Sequence, residues 1–183
     1  KRIVKKEFNR DTISYYDDIY SSPGLKKYYM VKDVLENFTS KVGQNIEILD
    51  LEQFGKSLFI DGELQVAEND EHLYSSTFVN SGLKLNPSND KTAIIGGGDG
   101  GVARECISKG FKLIDWYELD PEVVTMCEKY LSKVGKIKLI TPYHLNKLEG
   151  DKQVLQKIEV KNLDNGTLKF ESDYLLPFFG ISM

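Results

Sequence analysis

KTAIIGGGDGGVARECISKGFKLIDWYELDP, residues 91–121, is the stretch that decides the fold. Residues 92–95 form a short apolar run, the kind needed by a strand covered on both faces of a parallel sheet. The run leads directly into Gly96, Gly97, Gly98, Asp99, Gly100 and Gly101. Residues 102–107 then read as a helix, and residues 111–117 as a second strand ending at Glu118. Asp120-Pro121 supplies an N-cap followed by proline at the first helical position. Val123, Val124, Cys127 and Leu131 recur at helical spacing and give this second helix one apolar face. Strand, helix, strand, helix in this order predicts the opening of a doubly wound α/β domain with a Rossmann-like parallel sheet.

Gly96, Gly98 and Gly101 satisfy G-x-G-x-x-G between a strand and a helix, the context this fingerprint requires. Glycines there allow a tight turn and let a ligand approach backbone N–H groups closely. The same string also serves as a bare strand-to-helix turn. Glu118 follows about 20 positions on, at the tip of the second strand, where such folds place a carboxylate that accepts ribose hydroxyl hydrogens. Its alternative role is a solvated loop acid. Asp99 bears on the ligand class. A carboxylate inside the loop opposes a pyrophosphate and attracts a cation, so a sulfonium nucleoside with a free amine suits it better than a dinucleotide. An acid at a helix N-terminus is also favourable in its own right.

Upstream, Ile46 and Ile48 alternate with polar partners, residues 57–60 read as a strand, and Leu64 and Val66 continue beyond Asp61-Gly62. Asp-Gly between strand-like runs predicts a hairpin with a type I′ turn, so residues 45–67 are expected to form a small antiparallel sheet. Earlier still, Ser21, Ser22, Pro23 and Gly24 break the chain, and Val31, Val34, Leu35 and Phe38 recur at a spacing that predicts a helix. Downstream, residues 137–140 and 154–160 read as strands, with Asn165-Gly166 as a turn into residues 168–170. Three regions result: 1–88, an N-terminal helix and antiparallel hairpin domain; 89–135, a Rossmann-like nucleoside-binding unit; and 136–183, a β-rich tail.

With 40% apolar and 11% aromatic residues the chain can bury a core. Its 24 lysines and arginines against 28 acids leave no cation excess for a nucleic-acid backbone. No apolar run approaches the ~20 residues that span a bilayer, so neither nucleic acid nor membrane is expected as a partner. Cys106 and Cys127 lack CxxC spacing and point to a reduced, cytoplasmic compartment. His72 and His144 are isolated, so no metal site is expected.

The string IIGGGDGGVARE (94–105) followed by YELDPEVV (117–124) resembles the polyamine aminopropyltransferases, the spermidine and spermine synthases. So does QNIEILDLEQFGKSLFIDGELQVAENDEHLY (44–74), and the three motifs stand in the family's order. The resemblance implies that Gln44, residues 96–101, Glu118, Leu119 and Asp120 hold decarboxylated S-adenosylmethionine, with Glu118 on the ribose. It implies that Asp99 contacts the amine end of the aminopropyl group or the polyamine, and that Gln65 and Tyr74 line the space between donor and acceptor. Gln65 and Tyr74 read equally well as sheet and core residues. Glu68, Asp70 and Glu71 either raise negative potential near a polycation or form a solvated acidic turn. Ser75 stands where many spermidine synthases carry histidine or glutamine.

The implied reaction moves an aminopropyl group from decarboxylated S-adenosylmethionine, a co-substrate, to putrescine or spermidine, with neither metal nor redox cofactor. A homo-oligomer is implied as well. The aspartate loop that carries the family's base is not recognisable after Val134, and no catalytic residue is assigned. Residues 136–183 instead resemble the strand-and-hairpin portion of a thioredoxin-reductase-type flavoprotein, so a junction near residue 135 and a catalytically incomplete chain are expected. Beside aminopropyl transfer stand three other readings: a nucleoside-binding module without turnover, a pyridine-nucleotide-dependent reductase fragment, and a methyltransferase on the same architecture.

Overall fold

The structure is a computed structural model. It describes residues 3–8, 11–17, 24, 27–131, 138–140, 143–151, 154–162, 164, 166–171 and 176–177. They fall into two compact units, one running to Glu71 and the other starting at His72.

The first unit is a meander of six antiparallel strands in sequence order: β1 (Ile3–Phe8), β2 (Asp11–Asp17), β3 (Tyr28–Thr39), β4 (Asn45–Leu51), β5 (Gly55–Ile60) and β6 (Glu63–Ala67). The β5–β6 hairpin is the one that Asp61-Gly62 predicts. Asp61 has φ 52° and Gly62 has φ 87°, the paired left-handed conformation of a type I′ turn. Asp61 also accepts the Asn45 N–H on its carboxylate at 2.8 Å, fastening the turn to the start of β4. Leu49, Leu51 and Phe59 form one buried cluster, against which Tyr29, Val31, Phe54 and Leu64 pack. The Tyr29 ring meets Phe54 and Phe59 edge-on, with centroids 6.0 and 5.6 Å away.

Residues 28–39 are a strand, not the helix that their apolar spacing predicts. The pairing of β3 with β4 shifts register between Val31 and Asp33 and again between Val34 and Glu36. Each shift inserts one extra residue into β3 and breaks its two-residue alternation: Val31 and Leu35 are half-buried, whereas Val34 is 41% exposed. The apolar residues at 31, 34, 35 and 38 therefore do not share one buried face, and the β-branched and aromatic content of the segment favours the strand.

α1 (Glu71–Leu85) starts at the boundary and lies in the second unit from His72 on, a helix the sequence reading does not single out. There follow β7 (Lys91–Ile95), α2 (Gly101–Ser108), β8 (Leu113–Tyr117), α3 (Pro121–Tyr130) and β9 (Lys138–Ile140). After these come β10 (Tyr143–Asp151), β11 (Val154–Asn162), β12 (Thr167–Glu171) and β13 (Leu176–Pro177). Strands β13, β7, β8 and β9 lie side by side in that order and are parallel. This is the expected Rossmann-like sheet, with four strands among the described residues. The sheet has β8 on one side of β7 and the late strand β13 on the other, so strand order reverses at β7. The crevice beyond its C-terminal end is the switch point where open α/β sheets bind ligands. Val79 of α1, Ile94, Val102, Ala103, Cys106, Phe111, Trp116 and Val124 make the core beneath it.

β10, β11 and β12 form a separate antiparallel sheet. The turn before β12 is closed by Gly166, whose N–H meets the Asn162 side chain and whose carbonyl oxygen accepts the Asn162 N–H at 2.9 Å. Asn165, the break at Ser21, Ser22 and Pro23, and the expected junction near residue 135 lie outside the described residues.

Candidate functional site at the glycine turn

The turn is set by hydrogen bonds at both ends. Gly96 and Gly97 have φ 80° and 69°, left-handed values that side chains strain against. The Gly96 N–H donates to the Tyr117 carbonyl oxygen at 2.8 Å, and Gly100 N–H closes the loop on the Gly97 carbonyl oxygen at 2.8 Å. Gly100, with φ 78°, is the N-cap of α2. Because a glycine offers no side-chain cap, the neighbouring acid takes that part. Asp99 Oδ2 accepts the Gly101 N–H at 2.8 Å. Asp99 is 5% exposed, a buried negative charge at a helix N-terminus.

Glu118 faces this turn. A methyl group added at Gly98 would lie 2.8 Å from Val123 Cγ1 and 3.0 Å from Glu118 Oε2, so only glycine lets the backbone pass here. The other carboxylate oxygen, Oε1, accepts the N–H groups of Leu119 at 2.7 Å and Asp120 at 3.1 Å. These two bonds fix the side chain and leave Oε2 on the glycine side. Burial pushes the Glu118 carboxyl up to about 7, and the charges of Asp120 and Asp99 add to the rise, while the two backbone bonds oppose it. Near neutrality the group therefore stands between its acid and its anion, ready to be ionised by a nearby cation.

Asp120 caps α3 as its sequence predicts, accepting the Glu122 N–H at 2.9 Å with Pro121 next in line. Its second oxygen is buried without a hydrogen-bond partner. Tyr74 lies on α1, its ring stacked on Phe78 at 5.8 Å, and its hydroxyl is held above the usual phenol range by burial and by the charge of Asp99. Burial pushes the Cys106 thiol up to about 12, and raises that of Cys127, on which Asp99 and Glu118 also act. Both thiols stay protonated and unreactive.

The second unit thus brings together residues 96–101, Glu118, Leu119 and Asp120, with Tyr74 within the field of Asp99. Gln44 and Gln65 belong to the first unit. Gln44 closes the turn before β4 with Ser40, and the Gln65 amide donates to the Glu63 carbonyl oxygen at 3.2 Å. Of the acidic run, Glu68 serves a turn: its Oε2 accepts the Lys56 N–H at 3.2 Å. Asp70 is exposed, and Glu71 opens α1. Ser75 is 3% exposed on α1. Trp116, whose indole N–H donates to the Gly96 carbonyl oxygen, adjoins the turn and is not singled out by the sequence.

Among the described residues no group of three or more His, Cys, Asp or Glu is placed to hold a metal ion. Among them, too, no helix is long and apolar enough to cross a membrane.

Residues 71–164 match the spermine/spermidine synthase domain, and residues 14–68 match the spermidine synthase tetramerisation domain. The first match runs past residue 135, through most of the segment for which a flavoprotein origin is expected from sequence. A polyamine aminopropyltransferase of Methanocaldococcus jannaschii is 40% identical over 107 residues, covering 57% of this chain and 36% of that protein. A thermospermine synthase of Arabidopsis thaliana is 33% identical over 125 residues, covering 68% of this chain and 36% of its own. The spermidine synthase of Thermotoga maritima has a similar structure, with a TM-score of 0.58 at 27% identity over 63% of this chain and 41% of that one. The chain spans between a third and a half of the length of such relatives. With matches in this order over both units, and with its glycine turn and strand-tip glutamate in place, the chain belongs to the spermine/spermidine synthase family.

Proposed function

We propose that the second unit binds decarboxylated S-adenosylmethionine, and that the protein works in polyamine biosynthesis by moving the aminopropyl group to putrescine or spermidine. The observation that carries this reading is the placement of Glu118 Oε2 against Gly98, with Asp99 buried in the same turn. Glu118 receives the ribose hydroxyls, with Leu119 and Asp120 beside it. Asp99 faces the cationic aminopropyl end, and Tyr74 is assigned to the polyamine. A solved spermidine synthase complexed with the transition-state analogue AdoDATO resembles this chain at a TM-score of 0.58 and 27% identity, which supports a nucleoside–polyamine ligand pair.

In the reaction, a neutral amine nitrogen attacks the methylene carbon beside the sulfonium. The carbon–sulfur bond breaks with its electron pair on sulfur, methylthioadenosine leaves, and the surplus proton passes to a carboxylate. An alkylammonium is protonated near neutrality, so the acceptor must lose a proton to become a nucleophile. Holding the two reactants in line supplies much of the rate. The donor carries its own leaving group, so the step itself needs no metal or redox partner. Neither Glu118, held by two backbone N–H groups, nor Asp99, capping α2, is assigned as the base. An oligomer built through residues 14–68 and a cytoplasmic location belong to the same proposal.

Calorimetry with decarboxylated S-adenosylmethionine, S-adenosylmethionine, methylthioadenosine, NADH and NADPH tests it. The decarboxylated donor is expected to bind tightest, and preference for NADPH overturns the reading in favour of a reductase. A coupled assay with putrescine and spermidine then separates a transferase from a module that only binds.

A further inference from the structure

Gly96 is held by two consecutive residues of β8. Its N–H donates to the Tyr117 carbonyl oxygen, and its own carbonyl oxygen accepts the Trp116 indole N–H at 2.8 Å. Trp116 is the chain's single tryptophan and is 2% exposed. A buried indole N–H needs an acceptor, and many core tryptophans satisfy it anywhere convenient. Here the acceptor is the first residue of the glycine turn, just past the end of β7 and in a left-handed conformation. Residues two apart along a strand leave on the same face. Trp116 meets the turn at Gly96, and Glu118, just past the strand, meets it at Gly98.

We infer that Trp116 is a positioning residue for the nucleoside site. Its indole N–H fixes the Gly96 peptide plane and so sets the direction of the Gly97 and Gly98 amides. This inference rests on the ligand reading given above. A phenylalanine at 116 keeps most of the core volume but removes the donor, leaving the Gly96 carbonyl to swing.

One tryptophan means one indole N–H resonance in a proton–nitrogen spectrum of the full chain. Titration with decarboxylated S-adenosylmethionine is expected to shift that resonance together with the turn's glycine amides. Trp116→Phe is expected to weaken binding about tenfold. Val79→Ala, a cut in the same core made on α1, is expected to lower the melting temperature and leave affinity unchanged. Glycine amides that shift while the indole stays still, with Trp116→Phe binding as the unaltered chain does, overturn the positioning role and spare the ligand reading. If no turn resonance moves at saturating donor, both fall. Should Trp116→Phe not fold, the titration of the unaltered chain decides.

Discussion

Two glycines in this protein sit against a glutamate carboxylate, one in each unit. In the antiparallel sheet, a methyl group added at Gly55 would lie 2.8 Å from Glu68 Oε2. In the α/β unit, one added at Gly98 would lie 3.0 Å from Glu118 Oε2. The local chemistry is nearly the same and the surroundings are not. Glu68 is exposed, and its Oε2 is occupied by the Lys56 N–H, so the contact is a clasp that holds the turn before β5 to the end of β6. Glu118 is 8% exposed, its bonded oxygen is the other one, and a second acid stands in the turn it faces. A carboxylate that completes its own turn is structural. One that is buried, raised to about 7 and fixed with an oxygen toward a glycine backbone has the features of a ligand-binding acid, the role proposed for it.

Substitutions separate the two glycine–glutamate contacts. Gly98→Ala is expected to have the largest effect, reducing donor affinity by more than about 100-fold, because the methyl group fills the space between the turn and Glu118. Retained binding in calorimetry would remove the turn from the site. Glu118→Gln should move affinity and stability in opposite directions. Gln keeps an acceptor for the two backbone N–H groups but loses the charge, so donor binding falls by about 10- to 100-fold.

The stability side follows from the raised carboxyl. An acid raised from 4.5 to about 7 binds its proton more tightly in the folded state. Stability therefore falls as pH rises from about 4.5 to 7 and levels off above. Glu118→Gln removes that slope and is expected to gain on the order of 2–3 kcal/mol at pH 8, read by chemical unfolding of the ligand-free protein. A variant that is weaker at pH 8 and keeps the slope contradicts the assignment.

Gly55→Ala is expected to cost about 1–3 kcal/mol, since φ is 70° and the clasp must open. Asp99→Asn keeps an oxygen for the Gly101 N–H but discards the charge. Donor affinity should fall about tenfold with the melting temperature almost unchanged. Glu68→Gln should do least, a shift of a few degrees or less, because that acid is exposed and Gln can still accept the Lys56 N–H.

The legible parts of this chain are those whose cause is local. The apolar run before Gly96, the glycines, Asp120-Pro121 and Asp61-Gly62 each dictate a backbone conformation by themselves, and the structure has a strand, a turn, a cap and a hairpin at those places. Residues 28–39 mislead because bulges in β3 arise from pairing with β4, which a periodicity does not record. α1 is obscured by Ser75, Ser76, Thr77, Asn80 and Ser81, weak helix formers that dilute the spacing of Tyr74, Phe78 and Leu83. The pairing of β13 with β7 and the bond from Trp116 to Gly96 depend on which strands become neighbours, and neither leaves a mark in the sequence. The acids show the same division. Glu118 is identifiable from its position after a strand, whereas the clasp role of Glu68 appears only once β5 and β6 are paired.

Whether the Glu118 carboxylate receives the sugar of a cationic nucleoside is decided by calorimetry of decarboxylated S-adenosylmethionine across pH 5.5 to 8.5. Affinity should climb as the buried acid ionises near pH 7 and then level off, with a flat profile in Glu118→Gln. A profile that is flat in the unaltered chain, or equal slopes in both proteins, removes Glu118 from the sugar.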